Sequence, residues 1–112
     1  MKKIKFTDKL SKMILIGEKT STWRLFDDKD LQIGDELILV NKESGEEIAE
    51  AVIEKMQEKK LRELDDYDWA GHERYESDEV MLQDFQAFYP DQKVKLDTPV
   101  KIINFKIIKF LV

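Results

Sequence analysis

The chain has 112 residues, of which 42% are hydrophobic and 38% are charged, and its formal net charge is -5. This length and balance predict a single globular domain, residues 1–112, with one core. They exclude a disordered chain. The absence of cysteine excludes disulfides, thiolate catalysis and cysteine-bound zinc. A net negative charge argues against a general binder of duplex DNA, which needs surplus lysine and arginine.

Charge is distributed unevenly along the chain. Residues 1–24 hold seven basic and two acidic side chains, residues 98–112 hold three basic and no acidic ones, and the part between is strongly acidic. If the two ends pair in space, they form one basic region on an acidic protein. The alternative is that these are ordinary solvated lysines on edge strands. No long apolar stretch follows the N-terminal lysines, so we expect no signal peptide, no membrane span and a cytoplasmic location.

The first half of the chain alternates short apolar segments with turn residues. In chain order we predict a strand at 3–6, a helix at 8–16, a strand at 20–24, a turn at 34–35, a strand at 36–40 and a hairpin connection at 41–46. Thr7 or Asp8 can cap the helix, whose apolar face is Leu10, Met13, Ile14 and Ile16. Gly17 is well placed to end this helix, because glycine adopts the left-handed conformation without steric cost. The run 37–40 is continuously apolar, which indicates a strand buried on both faces.

The second half contains one ambiguous segment. Residues 47–64 have the composition and spacing of a helix, although part of the segment also alternates as a strand would. A polar loop at 65–77 follows, and Ser77 can cap a helix that Pro90 stops. That helix places Met81, Leu82, Phe85 and Phe88 on its core face, and a strand from 100 to 110 closes the chain. The pattern predicts an α+β fold, a small barrel with helices over its ends.

The run from Lys19 to Arg24 is dense in groups that can hold a ligand. It contains an amine, hydroxyls, an indole and a guanidinium, which together suit a planar polar ligand such as a nucleobase. Each residue also has an ordinary structural role available. Thr20 and Thr22 suit a strand, Arg24 can form a surface ion pair with a nearby aspartate, and Trp23, like Trp69, can be core or rim packing.

Several motifs in a fixed order resemble one known family. They are Gly17-Glu18-Lys19-Thr20, which matches G-x-K-T, then Thr22-x-Arg24, then Gly34-Asp35 before an apolar strand, then Gly71–Ser77 before a helix ending at Tyr89-Pro90, and the closing strand. Together they resemble the ASCH domain, of the PUA-like β-barrel group, over almost the whole chain. The resemblance implies a strand at 47–56 and a helix at 58–64, which overrides helix propensity in the ambiguous segment.

The resemblance also implies a function and a site. ASCH domains are regarded as RNA- or nucleotide-binding modules with a cleft between barrel and helices, and one bacterial branch removes the acetyl group from N-acetylcytidine with a lysine, a threonine and a glutamate. The corresponding catalytic residues here are Lys19, Thr22 and Glu76, with Glu73 as the second choice for the glutamate. The expected ligand contacts are Gly17, Thr20, Trp23, Arg24, Glu73 and Tyr75.

The chemistry of amide hydrolysis is consistent with these residue types. Thr22 could attack or hold the attacking water, Lys19 could serve as base or polarise the carbonyl, and Glu76 could pass a proton to the leaving amine. On a regular strand, however, Lys19 and Thr22 would point to opposite faces. The pair can act together only if Lys19 lies in the loop after Gly17.

Three functional hypotheses follow. The first is a binding module for RNA, a nucleotide or a modified nucleoside, the second is an N-acetylcytidine amidohydrolase, and the third is metal-independent RNA cleavage by Lys19 and Glu76. Fold-level resemblance supports binding more broadly than catalysis. We expect no cofactor and no metal, because a single histidine, His72, beside solvated carboxylates is rarely a ligand set.

Overall fold

The computed structural model describes residues 1–72 and 74–112. In chain order its elements are β1 (Lys2–Phe6), α1 (Asp8–Leu15), β2 (Ser21–Arg24), β3 (Glu36–Asn41), β4 (Glu47–Lys60), a 3₁₀ turn (Leu61–Glu63), α2 (Asp66–Trp69), α3 (Asp78–Phe88) and β5 (Pro99–Phe110). No described helix is long and apolar enough to cross a membrane.

The five strands form one curved sheet in the order β1-β3-β4-β5-β2. β1 pairs with β3 in parallel, and the other pairs are antiparallel. β1 and β2 are therefore the two edges of the sheet, yet Nη2 of Arg24 on β2 donates to the carbonyl oxygen of Lys5 on β1 over 3.2 Å. The sheet thus curls until its edges approach each other. This half-barrel with helices confirms the predicted α+β fold class.

The core consists of two clusters of buried side chains. One packs α1 and strands β1, β3, β4 and β5 around Ile4, Ile14 and Leu37. The other packs α3 against β2 and β5 around Trp23, Phe85 and several smaller side chains. The prediction that the strand at 36–40 is buried on both faces is confirmed, since residues 37–41 of β3 are all buried.

The predicted helix at 58–64 is wrong. β4 continues to Lys60, and a single 3₁₀ turn follows it. The reason is pairing: β5 offers partners as far as Pro99, opposite Lys60, and these ladder hydrogen bonds outweigh helix propensity. The predicted loop after it contains the short helix α2, whose first turn is capped by the carboxylate of Asp65.

Both longer helices start as predicted but bury slightly different faces. Thr7 accepts from the amide of Leu10 over 3.2 Å, and Ser77 accepts from the amide of Val80 over 3.2 Å. Two predicted core residues are corrected: Ile16 follows the last turn of α1 and is 69% exposed, and Phe88 is 47% exposed. Ile16 is exposed because the chain leaves the helix there.

The two basic ends of the sequence meet in the sheet, because β2, at the end of the first basic segment, pairs antiparallel with β5 and places Arg24 opposite Lys101. β1 lies at the other edge of the sheet. Several lysines of the two ends form ion pairs with carboxylates, namely Lys2 with Asp35, Lys3 with Glu47, Lys12 with Asp8, and Lys101 with Asp27. Much of the positive charge of the two ends is therefore paired with carboxylates, and the charge at a site depends on the individual basic side chains nearby.

Candidate functional site

A cavity of about 220 Å³ opens between the two edge strands, under α3. Its basic side chains are Lys5, Lys19, Arg24 and Lys42, and every charged group that the structure describes in its lining is one of these. Its rings are Phe6, Trp23, His72, Tyr75, Phe85, Phe88 and Tyr89. The cavity therefore combines positive charge with aromatic surface.

Lys19 is placed by the end of α1. Gly17 has a φ of +80°, and the amides of Glu18 and Lys19 both donate to the carbonyl of Met13, over 2.9 and 3.2 Å. Lys19 therefore precedes β2 and is not part of the strand. Its side chain is only 2% exposed and turns into the cavity, where Thr22 also lies. The geometric condition for the two residues to act together is met.

Gly71 joins the loop before α3 to the start of β2. Its carbonyl accepts from the amides of Thr20 and Ser21, over 2.9 and 3.1 Å. This junction brings His72 and Tyr75 to the cavity beside Lys19. Gly71 has a φ of +73°, and a Cβ there would overlap Oγ1 of Thr20.

We expect Gly71→Ala to lower the free energy of unfolding by about 2–3 kcal/mol, because the substitution adds a steric overlap to the strain of a positive φ. Gly45→Ala is the matched control, since Gly45 also has a positive φ, +76°, but a Cβ there meets nothing within 4 Å. That variant should lose only about 1 kcal/mol. Urea denaturation measures both values, and equal losses would show that the overlap with Thr20 is relieved at no cost.

Aromatic packing builds the floor of the cavity. The rings of Trp23 and His72 stack with centroids 3.8 Å apart and planes 16° apart, and Trp69 meets Trp23 edge-on at 4.6 Å. Trp23 is 3% exposed and packs in the core, which is the structural role that the sequence offered as the alternative to ligand contact. His72 stacks against it and also lines the cavity.

The cations of the cavity lie close to its rings. The guanidinium carbon of Arg24 is 5.1 Å from the Phe6 centroid, Nζ of Lys19 is 6.0 Å from the same centroid, and Nζ of Lys42 is 5.4 Å from that of Phe88. Such contacts are attractive because the ring face carries partial negative charge. They fix the cations where an anionic or carbonyl-bearing ligand would meet them.

The predicted site residues divide into two groups. Lys19, Thr22, Trp23, Arg24 and Tyr75 line the cavity. Gly17 and Thr20 are exposed and do not line it; they shape the backbone around Lys19. The structure therefore brings the first group together at one cavity, whereas the second group lies outside it.

Of the two candidate glutamates, the structure describes Glu76, which does not line the cavity with Lys19. Glu76 is exposed and faces a neighbouring groove that also contains Arg74 and Asp84. Glu73 lies outside the described residues. Within residues 1–72 and 74–112, no group of three histidine or carboxylate side chains is arranged to hold a metal ion.

Several cavity residues were not predicted as ligand contacts, among them Lys5, Phe6, Lys42 and Tyr89. Nothing local marks the first three, because their role arises from the closeness of the sheet edges. Tyr89 carries a signal, since it precedes Pro90 at the end of the helix in the family-like motif. Its hydroxyl accepts from the amide of Leu25 over 3.2 Å, which ties α3 to the residue after β2.

No protein-family model matches the chain, and no curated protein sequence matches it either. Solved structures do match its fold. A protein of the DUF984 family from Enterococcus faecalis V583 is 13% identical, with a TM-score of 0.80 over 93% of this chain and 72% of its own. An ASCH domain from Lactobacillus crispatus JV V101 is 16% identical, with a TM-score of 0.70 over 95% of this chain and 79% of its own. ASCH from Zymomonas mobilis is 14% identical, with a TM-score of 0.61 over 96% of this chain and 68% of its own. The chain therefore has the ASCH-type fold that its motifs predict.

Proposed function

We propose that this chain binds RNA through a single base or nucleotide held in the cavity between β1 and β2. The observation that carries the proposal is the lining itself, in which four basic side chains and several aromatic rings surround one small space. Phosphate and base carbonyl oxygens are recognised by lysine and arginine, and base faces by aromatic rings.

The size of the cavity favours one nucleotide unit over a folded RNA surface. Its volume of about 220 Å³ is below the range of about 300–1,000 Å³ that is usual for drug-sized ligands. An unstacked base can enter such a space while the rest of a strand stays outside. The ASCH-type fold supports the same function, because that family is regarded as RNA- and nucleotide-binding.

The test is calorimetric titration with cytidine, cytidine 5′-monophosphate and a short single-stranded RNA at two salt concentrations. We expect the monophosphate and the RNA to bind, with an affinity that falls as salt rises, since lysine–phosphate contacts release counterions. Lys42→Ala should reduce the slope of log affinity against log salt concentration by about one, the value expected for the loss of one phosphate contact. Lys93→Ala, which removes an exposed lysine outside the cavity, is the control and should change nothing. No binding of any of these ligands at low salt would refute the proposal.

A second candidate is the hydrolysis of N-acetylcytidine, and one observation favours it. Lys19 and Thr22 are both nearly buried, 2% and 5% exposed, and they line one cavity although a regular strand would separate them. A desolvated amine beside a hydroxyl is a recurrent arrangement for activating a nucleophile. Thr22 would attack or hold the water, and Lys19 would act as base or polarise the carbonyl.

Chromatography of N-acetylcytidine incubated with the protein distinguishes this candidate from binding alone. Release of cytidine by the wild type, lost in Thr22→Val but kept in Thr22→Ser, supports a reacting hydroxyl. Binding of N-acetylcytidine without any release assigns the cavity to recognition only.

A further inference from the structure

A second cavity, here called the loop cavity, adjoins the first. It has a volume of about 390 Å³ and lies between the segment after β2 and the end of α3. Arg24, Phe88 and Tyr89 line both cavities, so the two spaces meet at these side chains. Phe88 is 47% exposed, which leaves an aromatic face at the junction.

Phe26 gives the loop cavity an exposed ring in an unusual backbone conformation. Its φ is +49°, a region that bulky residues rarely adopt and that glycine adopts freely. The side chain is 40% exposed, and its ring meets that of Tyr89 edge-on at 5.5 Å. An exposed ring braced by a second ring is the kind of surface on which bases stack.

Asp27 orders the loop that follows Phe26. Its carboxylate accepts from the amides of Lys29 and Leu31, over 2.9 and 2.8 Å, and from Nζ of Lys101 over 2.8 Å. Partial burial acts to raise the pKa of Asp27, but the hydrogen bonds from Lys101 and the two amides outweigh it, so the pKa lies below its usual value. The loop is therefore preorganised around a charged carboxylate.

The two cavities differ in charge. The charged side chains of the first are lysines and an arginine, whereas the loop cavity has Lys29 and the carboxylates of Asp27, Asp28 and Asp91 in its lining beside Arg24. Asp27 is paired with Lys101, so Asp28 and Asp91 are the carboxylates that remain for a ligand. Arg24 stands at the boundary, where a forked guanidinium suits a phosphate group. Carboxylates favour hydrogen-bond donors, such as the exocyclic amine of cytosine or adenine.

We propose that the loop cavity binds the neighbouring nucleotide of a single-stranded RNA. The linking phosphate lies at Arg24, and the second base, one with an exocyclic amine, packs on Phe26. This inference rests on the proposed function and extends it, since it makes a dinucleotide of single-stranded RNA the smallest full ligand.

Titration with mono- and dinucleotides of cytidine and uridine tests the loop cavity separately from the first. We expect pCpC to bind at least about tenfold more tightly than pC, because stacking adds to the affinity of each base. The gain of pUpU over pU should be smaller, since uracil carries a carbonyl where cytosine carries an amine. Equal affinities of pC and pCpC would refute binding at the loop cavity without contradicting binding at the first cavity. Failure of both ligands to bind would refute the proposed function itself.

Phe26→Gly is the decisive variant, because glycine accepts the positive φ and only the ring is lost. We expect it to lower the affinity for pCpC to that for pC and to leave the affinity for pC unchanged. Phe110→Ala, which removes a comparably exposed ring, 50% exposed and outside both cavities, should leave both affinities unchanged. Equal losses for pC and pCpC in Phe26→Gly would assign the ring to the first cavity and contradict the inference.

Discussion

Replacing Lys19 by methionine should weaken binding of cytidine 5′-monophosphate by about 30- to 150-fold. The Lys19 side chain is 2% exposed and lies within the cavity, so its charge meets a ligand with little screening by water. A hydrogen bond to a charged group contributes about 2–3 kcal/mol in such a setting, which corresponds to that loss of affinity. Methionine keeps the length and the apolar stem of the side chain.

Isothermal titration calorimetry measures this loss, with Lys93→Met as the control. Lys93 is exposed and outside the cavity, so its replacement should leave the affinity within twofold of the wild type. A circular dichroism melt of Lys19→Met establishes that the fold persists. An affinity for Lys19→Met within threefold of the wild type would show that Lys19 does not contribute to binding.

The second large effect concerns stability. Trp23→Ala should lower the free energy of unfolding by about 3–5 kcal/mol, since it removes the largest buried side chain of the cluster that supports the cavity floor. The indole is 3% exposed and packs on His72, Trp69 and Phe85. A domain of this size has a total stability of about 5–15 kcal/mol, so the loss is a large share of the total.

Trp23→Phe separates packing from hydrogen bonding in the same position. Among the described residues the indole Nε1 of Trp23 is buried without an acceptor, so phenylalanine keeps part of the stack and removes an unsatisfied donor. Its loss in urea denaturation should be less than half that of Trp23→Ala. Trp69→Ala, at a half-buried ring of the same cluster, should also cost less than Trp23→Ala. Equal costs for all three would show that Trp23 has no special role in the floor.

The site illustrates how a half-barrel makes a cavity from its own edges. Edge strands expose unpaired backbone groups, and here Arg24 satisfies one of them at Lys5 while its charge stays near the cavity. Closing the sheet fully would remove the space. The opening between β1 and β2 is thus both a structural gap and the place where a ligand can reach basic and aromatic side chains.

Local chemistry explains which parts of the fold were predictable. Thr7 and Ser77 cap their helices as expected, because a hydroxyl placed before a helical run satisfies a backbone amide wherever the helix packs. The end of β4 was not predictable in the same way. Glu58 and Lys60 have good helix propensity, and only the presence of β5 alongside them makes a strand the better state.

The sequence by itself determined the helix caps, the glycine turns and most of the helices and strands, because these signals act over a few residues, and it put Lys19, Thr22 and Arg24 in one segment. The ASCH-type fold was predicted from the resemblance of the ordered motifs to that family. The tertiary structure alone decided that Lys5 and Lys42 join that segment and that Glu76 faces a different groove. The physical reason is sheet curvature, which brings together residues far apart in the chain and which no short stretch of sequence encodes.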